Sequence, residues 1–159
     1  MTTVVFADLV GSTSMFQRLG DETASRFVTQ LMGLLCQVFE HHRGRVIKVL
    51  GDGIFVVFEH EGDALVASIS IQKRLLDKPI YAGGSGAAVQ LQMGIDSGEV
   101  VEIAGDCFGD TVNSAARLIP RTDRLNSFAN NSTKCCASKT MSRSRTRRGG
   151  ISMRSTFKR

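Results

Sequence analysis

The order of apolar runs and helical periodicities predicts an α+β fold, an antiparallel-rich sheet with helices packed on it. Three observations carry that prediction. Val4-Val5-Phe6-Ala7 is a continuous apolar run, as a central strand buried on both faces requires. Residues 46–58 hold two strand-like runs split by Gly51-Asp52-Gly53, which reads as a tight β-hairpin. Apolar residues recur at helical spacing both between these strands and after them.

Composition sets the outer limits. A chain of 159 residues with 42% hydrophobic content is enough for one domain with a core. No apolar run approaches the roughly 18 residues of a membrane span, and no signal peptide is evident. The cysteines, Cys36, Cys107, Cys135 and Cys136, are unevenly spaced and form no CxxC pair. They suggest neither a disulfide framework nor a zinc site, so a reducing cytoplasm is expected. The net charge of +5 joins two unlike segments. Residues 1–118 hold 9 Lys/Arg against 14 Asp/Glu, whereas residues 119–159 hold 11 Lys/Arg against one Asp. The basic balance therefore does not describe the domain.

The elements follow in order. The first strand ends at Asp8, and Leu9-Val10-Gly11-Ser12-Thr13 leads into an amphipathic segment from Met15 to Leu19. Free N–H groups at such a helix start favour phosphate. Simple capping by Ser12 and Thr13 is the competing reading. Asp21 is the expected N-cap of a long helix whose buried face is Ala24, Phe27, Val28, Leu31, Leu35, Val38 and Phe39. Gly44 is its expected C-cap. Cys36, His41 and His42 read as structural or exposed, the histidines favouring the helix dipole.

The hairpin then carries Lys48 on its first strand and Asp52 at its tip. Asp52 reads either as a turn former or as a ligand for a hard cation such as Mg²⁺ or Mn²⁺. Asp63 is the expected cap of a further helix, with Leu65, Ile69, Leu75 and Leu76 inward and Pro79 as its stop. Residues 82–86 read as a linker. Val89, Leu91, Met93 and Ile95 alternate as a half-buried strand, Asp96-Ser97-Gly98 as a turn, and residues 100–103 as a strand paired back onto it. Residues 105–110 read as a loop. Thr111 opens a helix that places Asn113 and Arg117 on one face, either gripping phosphate oxygens or simply solvated.

The resulting order, β-α-α-β-β-α-β-β-α, is that of a ferredoxin-like fold built around a split βαβ unit. It places the first strand beside the hairpin, so Asp8 and Asp52 can meet on neighbouring strands. Two such carboxylates are the minimum for a two-metal site.

Four stretches now stand in order: Phe6 to Thr13, Lys48 to Gly53, Asp106 to Gly109, and Thr111 to Arg117. Together they resemble the catalytic domain of class III nucleotidyl cyclases of the bacterial adenylate cyclase kind, over about residues 2–118. The resemblance implies that Asp8 and Asp52 bind two Mg²⁺ or Mn²⁺ ions per site, with the backbone carbonyl of Leu9 touching one. It implies that Lys48 and Asp106 read the purine edge and that Asn113 and Arg117 orient the ribose and stabilise the transition state. Gly11, Ser12 and Thr13 lie where the phosphates are expected. A Lys–Asp pair suits adenine, whereas guanine-specific relatives usually carry Glu and a small residue. The implied reaction is ATP to cyclic AMP and pyrophosphate in a homodimer, metal aspartates from one subunit meeting the other four residues from its partner.

The resemblance stops after Leu118. Residues 119–159 show no strand alternation, hold 12 Ser/Thr, and include the disordered-type run 142–148. The lysine that grips the triphosphate in the family has no match, since Lys134 and Lys139 lie in no corresponding motif. The C-terminal part of the domain is thus expected to be incomplete, either because a basic arm stands there or because a shifted reading frame replaced it. The alternative function is a catalytically inactive cyclase-homology domain serving as a nucleotide-binding or dimerisation module. No specific nucleic-acid partner is expected, because residues 1–118 offer no basic face.

Overall fold

The computed structural model describes residues 1–84 and 86–119, together with the backbone of 151–154. The elements are β1 (Thr2–Leu9), α1 (Ser12–Leu19), α2 (Asp21–His41), β2 (Arg45–Leu50), β3 (Gly53–Phe58), α3 (Glu61–Asp77), β4 (Leu91–Gly98), β5 (Val101–Ile103), β6 (Asp106–Phe108), α4 (Asp110–Leu118) and β7 (Ile151–Arg154), with a 3₁₀ turn at Ala82–Gly84. The main sheet has the order β2-β3-β1-β4-β7, every neighbouring pair antiparallel. This is the split βαβ arrangement read from the element order.

The sheet is covered on both faces. Val5, Ala7, Leu9, Ile54, Val56, Met93 and Ile95 face α2 and α3 in one core. Val4, Phe6, Phe55 and Val57 face Val112, Ala115 and Ile119 of the α4 side in the other. Phe6 and Phe55 stack there at 4.5 Å between ring centroids. β1 is buried on both faces from Thr3 to Leu9, which is why its sequence is a continuous apolar run. α2 buries Ala24, Val28, Leu31, Leu35 and Phe39 of the face read from its periodicity, with Met32 added and Phe27 and Val38 partly buried at its edge.

Several local expectations are corrected. α2 starts at Asp21 with Gly20 as its cap, and α3 starts at Glu61 with His60 as its cap, so Asp21 and Asp63 lie in first turns. There they favour the helix dipole, and Asp63 also faces Arg43 at 3.5 Å. The left-handed residue after α2 is Arg43 (φ 64°), not Gly44. Gly44 is needed for room, because a Cβ there would meet Phe58 at 2.6 Å. α3 buries Ala64, Ala67, Ser68 and Ile71, while Ile69 and Leu76 are exposed. Of the expected inner residues, Leu65 and Leu75 are partly buried against the core. The centre of the buried stripe, however, is made of small residues that let the helix approach the sheet closely, and these carry little apolar signal.

The second half of the sheet differs more. β4 is buried on both faces and runs through residues 96–98 instead of turning there. β5 pairs with β6, not with β4, so residues 106–108 are strand where a loop was expected. The joint is Ala104-Gly105, both at positive φ (52° and 79°), as a two-residue type I′ hairpin requires. Alanine is an uncommon residue in that conformation, which hid the turn. α4 begins at Asp110, one residue before Thr111. In the region expected to lack strands, Ile151–Arg154 pairs with Gln92 to Ile95 of β4. Its alternation lasts only two periods, too few to stand out from a Ser/Arg-rich background. The rest of 120–159, including Lys134, Lys139, Cys135, Cys136 and the 142–148 run, lies outside the described residues.

α4 seats on β4 through two glycines. A Cβ at Gly94 would lie 2.1 Å from the Ala115 carbonyl oxygen, and one at Gly98 would lie 2.3 Å from Thr111 Oγ1. No residue but glycine leaves the helix at this depth, and its depth positions Asn113 and Arg117.

Candidate active site

Asp8 and Asp52 stand at the ends of neighbouring strands, as the element order requires. Asp8 stands opposite Gly53 in the β1–β3 register, and the Leu9 N–H donates to the Asp52 carbonyl at 3.1 Å. Gly51 takes positive φ (60°) at the hairpin tip, leaving Asp52 in ordinary backbone conformation. Each carboxylate is aimed by a second side chain. Ser12 Oγ donates to Asp52 Oδ2. Gln92 Nε2 donates to Asp8 Oδ2 at 3.3 Å, both side chains being buried.

Ser12 is the first residue of α1 and makes no capping bond, since Gly11 (φ 72°) occupies the cap. Its hydroxyl is spent on the aspartate, so the capping expectation fails for Ser12. Gly11 and Thr13 lie exposed on either side of it. A cavity of about 250 Å³ opens beside Asp52, lined by Phe16, Ser25, Val28, Thr29 and Gly51.

Lys48 and Asp106 form a second pair. Lys48 Nζ lies 2.6 Å from Asp106 Oδ2 and 5.9 Å from the centre of the Phe55 ring. The other carboxylate oxygen, Asp106 Oδ1, accepts from the Cys107 N–H at 2.9 Å. Cys107 is buried under this strand, and burial, then the charge of Glu102, pushes its thiol pKa up. Asn113 is half-buried and Arg117 exposed on α4.

The carboxylates of Asp8 and Asp52 with the main chain of Leu9 are a hard-oxygen donor set, which suits Mg²⁺ or Mn²⁺ better than thiophilic metals. Among the described residues no three His, Cys, Asp or Glu side chains converge, so two carboxylates are the acidic complement there. A wider cavity of about 900 Å³ opens around Thr3, Asp96 and Thr111, but none of the site residues read from the sequence lines it. Gln92 was missed in the sequence. A lone glutamine in an apolar strand carries no signal until the register sets it opposite Asp8. Among the described residues no helix is long and apolar enough to cross a membrane.

Comparison with known proteins adds the following. A family model described as the adenylate and guanylate cyclase catalytic domain matches residues 1–158. An adenylate cyclase of Glutamicibacter nicotianae is 30% identical over 115 residues, covering 72% of this chain and 27% of that protein. An adenylate cyclase of Streptomyces coelicolor is 31% identical over 116 residues, covering 72% and 28%. The chain thus spans little more than a quarter of the length of these curated relatives. Among solved structures, the guanylyl cyclase Cya2 superposes with a TM-score of 0.63 at 25% identity, covering 74% of this chain and 68% of that one. The adenylyl cyclase CyaB from P. aeruginosa superposes at 0.59 with 20% identity, covering 82% and 80%. At that identity the second likeness shows the fold alone.

Proposed function

The chain belongs to the adenylate and guanylate cyclase catalytic-domain family, and from that premise we propose that it converts ATP to 3′,5′-cyclic AMP and pyrophosphate. The observation that carries the choice of ATP is the Lys48–Asp106 pair at 2.6 Å. A carboxylate beside an ammonium offers an acceptor for the exocyclic amine of adenine and a donor for a ring nitrogen. Guanine presents the opposite pattern at those positions.

In this reading Asp8, Asp52 and the Leu9 carbonyl hold two divalent ions. Such ions, when bound, lower the pKa of the ribose 3′-hydroxyl and neutralise the triphosphate. Ser12 and Gln92 keep the two carboxylates oriented. Gly11, Ser12 and Thr13 present the start of α1 to the phosphates. Asn113 orients the ribose so that its 3′-oxygen attacks the α-phosphate in line. Arg117 stabilises the charge that develops as pyrophosphate leaves.

The complete site belongs to a homodimer, in which one subunit contributes the aspartates and the other Lys48, Asp106, Asn113 and Arg117. The exposed apolar side chains Val49, Val101 and Ile103, on β2 and β5 beside the purine pair, support a surface that a second copy covers. A reducing cytoplasm fits the free thiols of Cys36 and Cys107. The second reading, an inactive nucleotide-binding or dimerising module, rests on the lack of a match to the family's triphosphate-gripping lysine. The two adenylate cyclase relatives align over 72% of the chain, while the family model reaches residue 158.

The test is product formation by the purified protein with Mn²⁺ and either ATP or GTP, with Asp52→Ala as control. Cyclic AMP from ATP, absent in the control, supports the proposal. Cyclic GMP from GTP overturns the purine assignment. A folded, dimeric protein that binds ATP and makes neither product supports the second reading.

A further inference from the structure

The β5–β6 hairpin carries Asp106 yet has little to hold it. Its strands are three residues long and form a sheet of their own. Val101 and Ile103 project into solvent, and Cys107 is its one buried side chain. An isolated two-stranded hairpin of this size is marginal. Its pose must come from contacts to the main sheet.

Cys107 anchors β6 in the core on the α4 side, and two ion pairs from the edge strand β2, one to each strand, orient the hairpin about it. Lys48 reaches Asp106 on β6. Arg45 reaches Glu102 on β5 in a bidentate fork, Nη1 to Oε1 at 3.1 Å and Nη2 to Oε2 at 2.6 Å. Glu102 stands opposite Cys107, next to Asp106 in the chain. Arg45 also lies close enough to the Cys107 thiol to lower its pKa against the effect of burial.

Arg45 and Lys48 are three residues apart, and on a regular strand they would face opposite sides of the sheet. The β2–β3 register shifts between Val46 and Lys48, leaving Ile47 as a bulge. Arg45 then stands opposite Val57 and Lys48 opposite Phe55, both on the α4 side. A bulge that re-aims a side chain beside a functional site is a recurrent device.

We propose that the Arg45–Glu102 pair, brought onto the Lys48 face by the bulge at Ile47, is a positioning element that sets purine selectivity by fixing the hairpin that carries Asp106. The inference rests on the reading of Lys48 and Asp106 as the purine-recognising pair. A bidentate fork constrains orientation as well as distance. Without it, the hairpin pivots about its anchored residue Cys107 and the Asp106 carboxylate loses its fixed plane, while Lys48 still finds it. Selectivity for adenine then falls before binding does.

The experiment measures ATP and GTP affinities by competition against a fluorescent ATP analogue. It compares wild type, Lys48→Ala, Arg45→Gln, Glu102→Gln and the double exchange Arg45→Glu/Glu102→Arg. Arg45 and Glu102 are half-exposed, so the folded state survives their substitution, and circular dichroism checks it. Expected is a loss of ATP-over-GTP preference by about two- to fivefold in each single variant, partial recovery in the double exchange, and a similar loss in wild type at about 0.5 M salt. Unchanged preference in Arg45→Gln and Glu102→Gln, with Lys48→Ala losing it, overturns the inference and leaves the purine reading standing. Unchanged preference in Lys48→Ala overturns both.

Discussion

Replacing Gly94 by alanine puts one methyl group at the contact between α4 and the sheet. The added Cβ would stand 2.1 Å from the Ala115 carbonyl oxygen, where ordinary contact begins at 3.4 Å, so the helix must retreat by about 1.3 Å. The clashing atom is backbone, which cannot rotate aside. A second contact, 3.2 Å to Leu118 Cβ, blocks a simple slide along the axis. Retreat loosens Val112, Ala115 and Ile119 from Phe6 and Phe55. Overpacking of this kind costs about 1–3 kcal/mol, and we expect the upper end because strain and lost packing add. For a domain of this size that lowers Tm by roughly 4–12 °C. The same retreat displaces Asn113 and Arg117, and a misplacement near 1 Å can cost on the order of a hundredfold in turnover. Thermal denaturation followed by circular dichroism, with cyclase activity measured well below Tm, reads both effects. A variant as stable as wild type would refute the close-approach argument. A destabilised variant with full turnover would refute the claim that helix depth positions Asn113 and Arg117.

The same substitution at Gly33, exposed in the middle of α2 with nothing within 4 Å, should raise stability by about 0.4–1 kcal/mol in urea denaturation, since alanine restricts the unfolded chain. Gln92→Leu removes the amide that donates to Asp8, and we expect Mn²⁺ affinity, read by paramagnetic resonance titration without nucleotide, to fall about tenfold; unchanged affinity would count against Gln92 as an orienting residue. Burial raises the Cys107 thiol above its ordinary value of 9.0. The unfolded chain therefore releases that proton first, so this contribution to stability is full below about pH 9 and is lost as pH rises toward the higher folded value. Urea denaturation between pH 8 and pH 10.5 should show a steeper decline for wild type than for Cys107→Ala, and parallel curves would contradict the shift.

The features legible in the sequence are those whose cause is local. Val4-Val5-Phe6-Ala7 can only be a strand buried on both faces, and α2 repeats its apolar residues often enough to declare its inner face. Gly51-Asp52-Gly53 between two apolar runs declares a hairpin. The motif order led to the family before any contact was known. Errors arose where local cues were weak or ambiguous. Asp21 and Asp63 suit a cap and a first turn almost equally, α3 buries small residues that carry little hydrophobic signal, and Ala104-Gly105 is an unusual type I′ pair.

By itself, then, the sequence determined the fold class, the order of the main elements and the identity of the acidic and basic residues, because periodicity and turn chemistry act over a few residues. Only the tertiary structure decided which of them meet. Gln92 reaches Asp8 across 84 residues, Ser12 reaches Asp52 across 40, and Arg45 reaches Glu102 across 57. Those contacts depend on strand register, on one bulge and on the closeness that Gly94 permits. Each is a balance of packing over the whole sheet, and no short stretch of chain contains it.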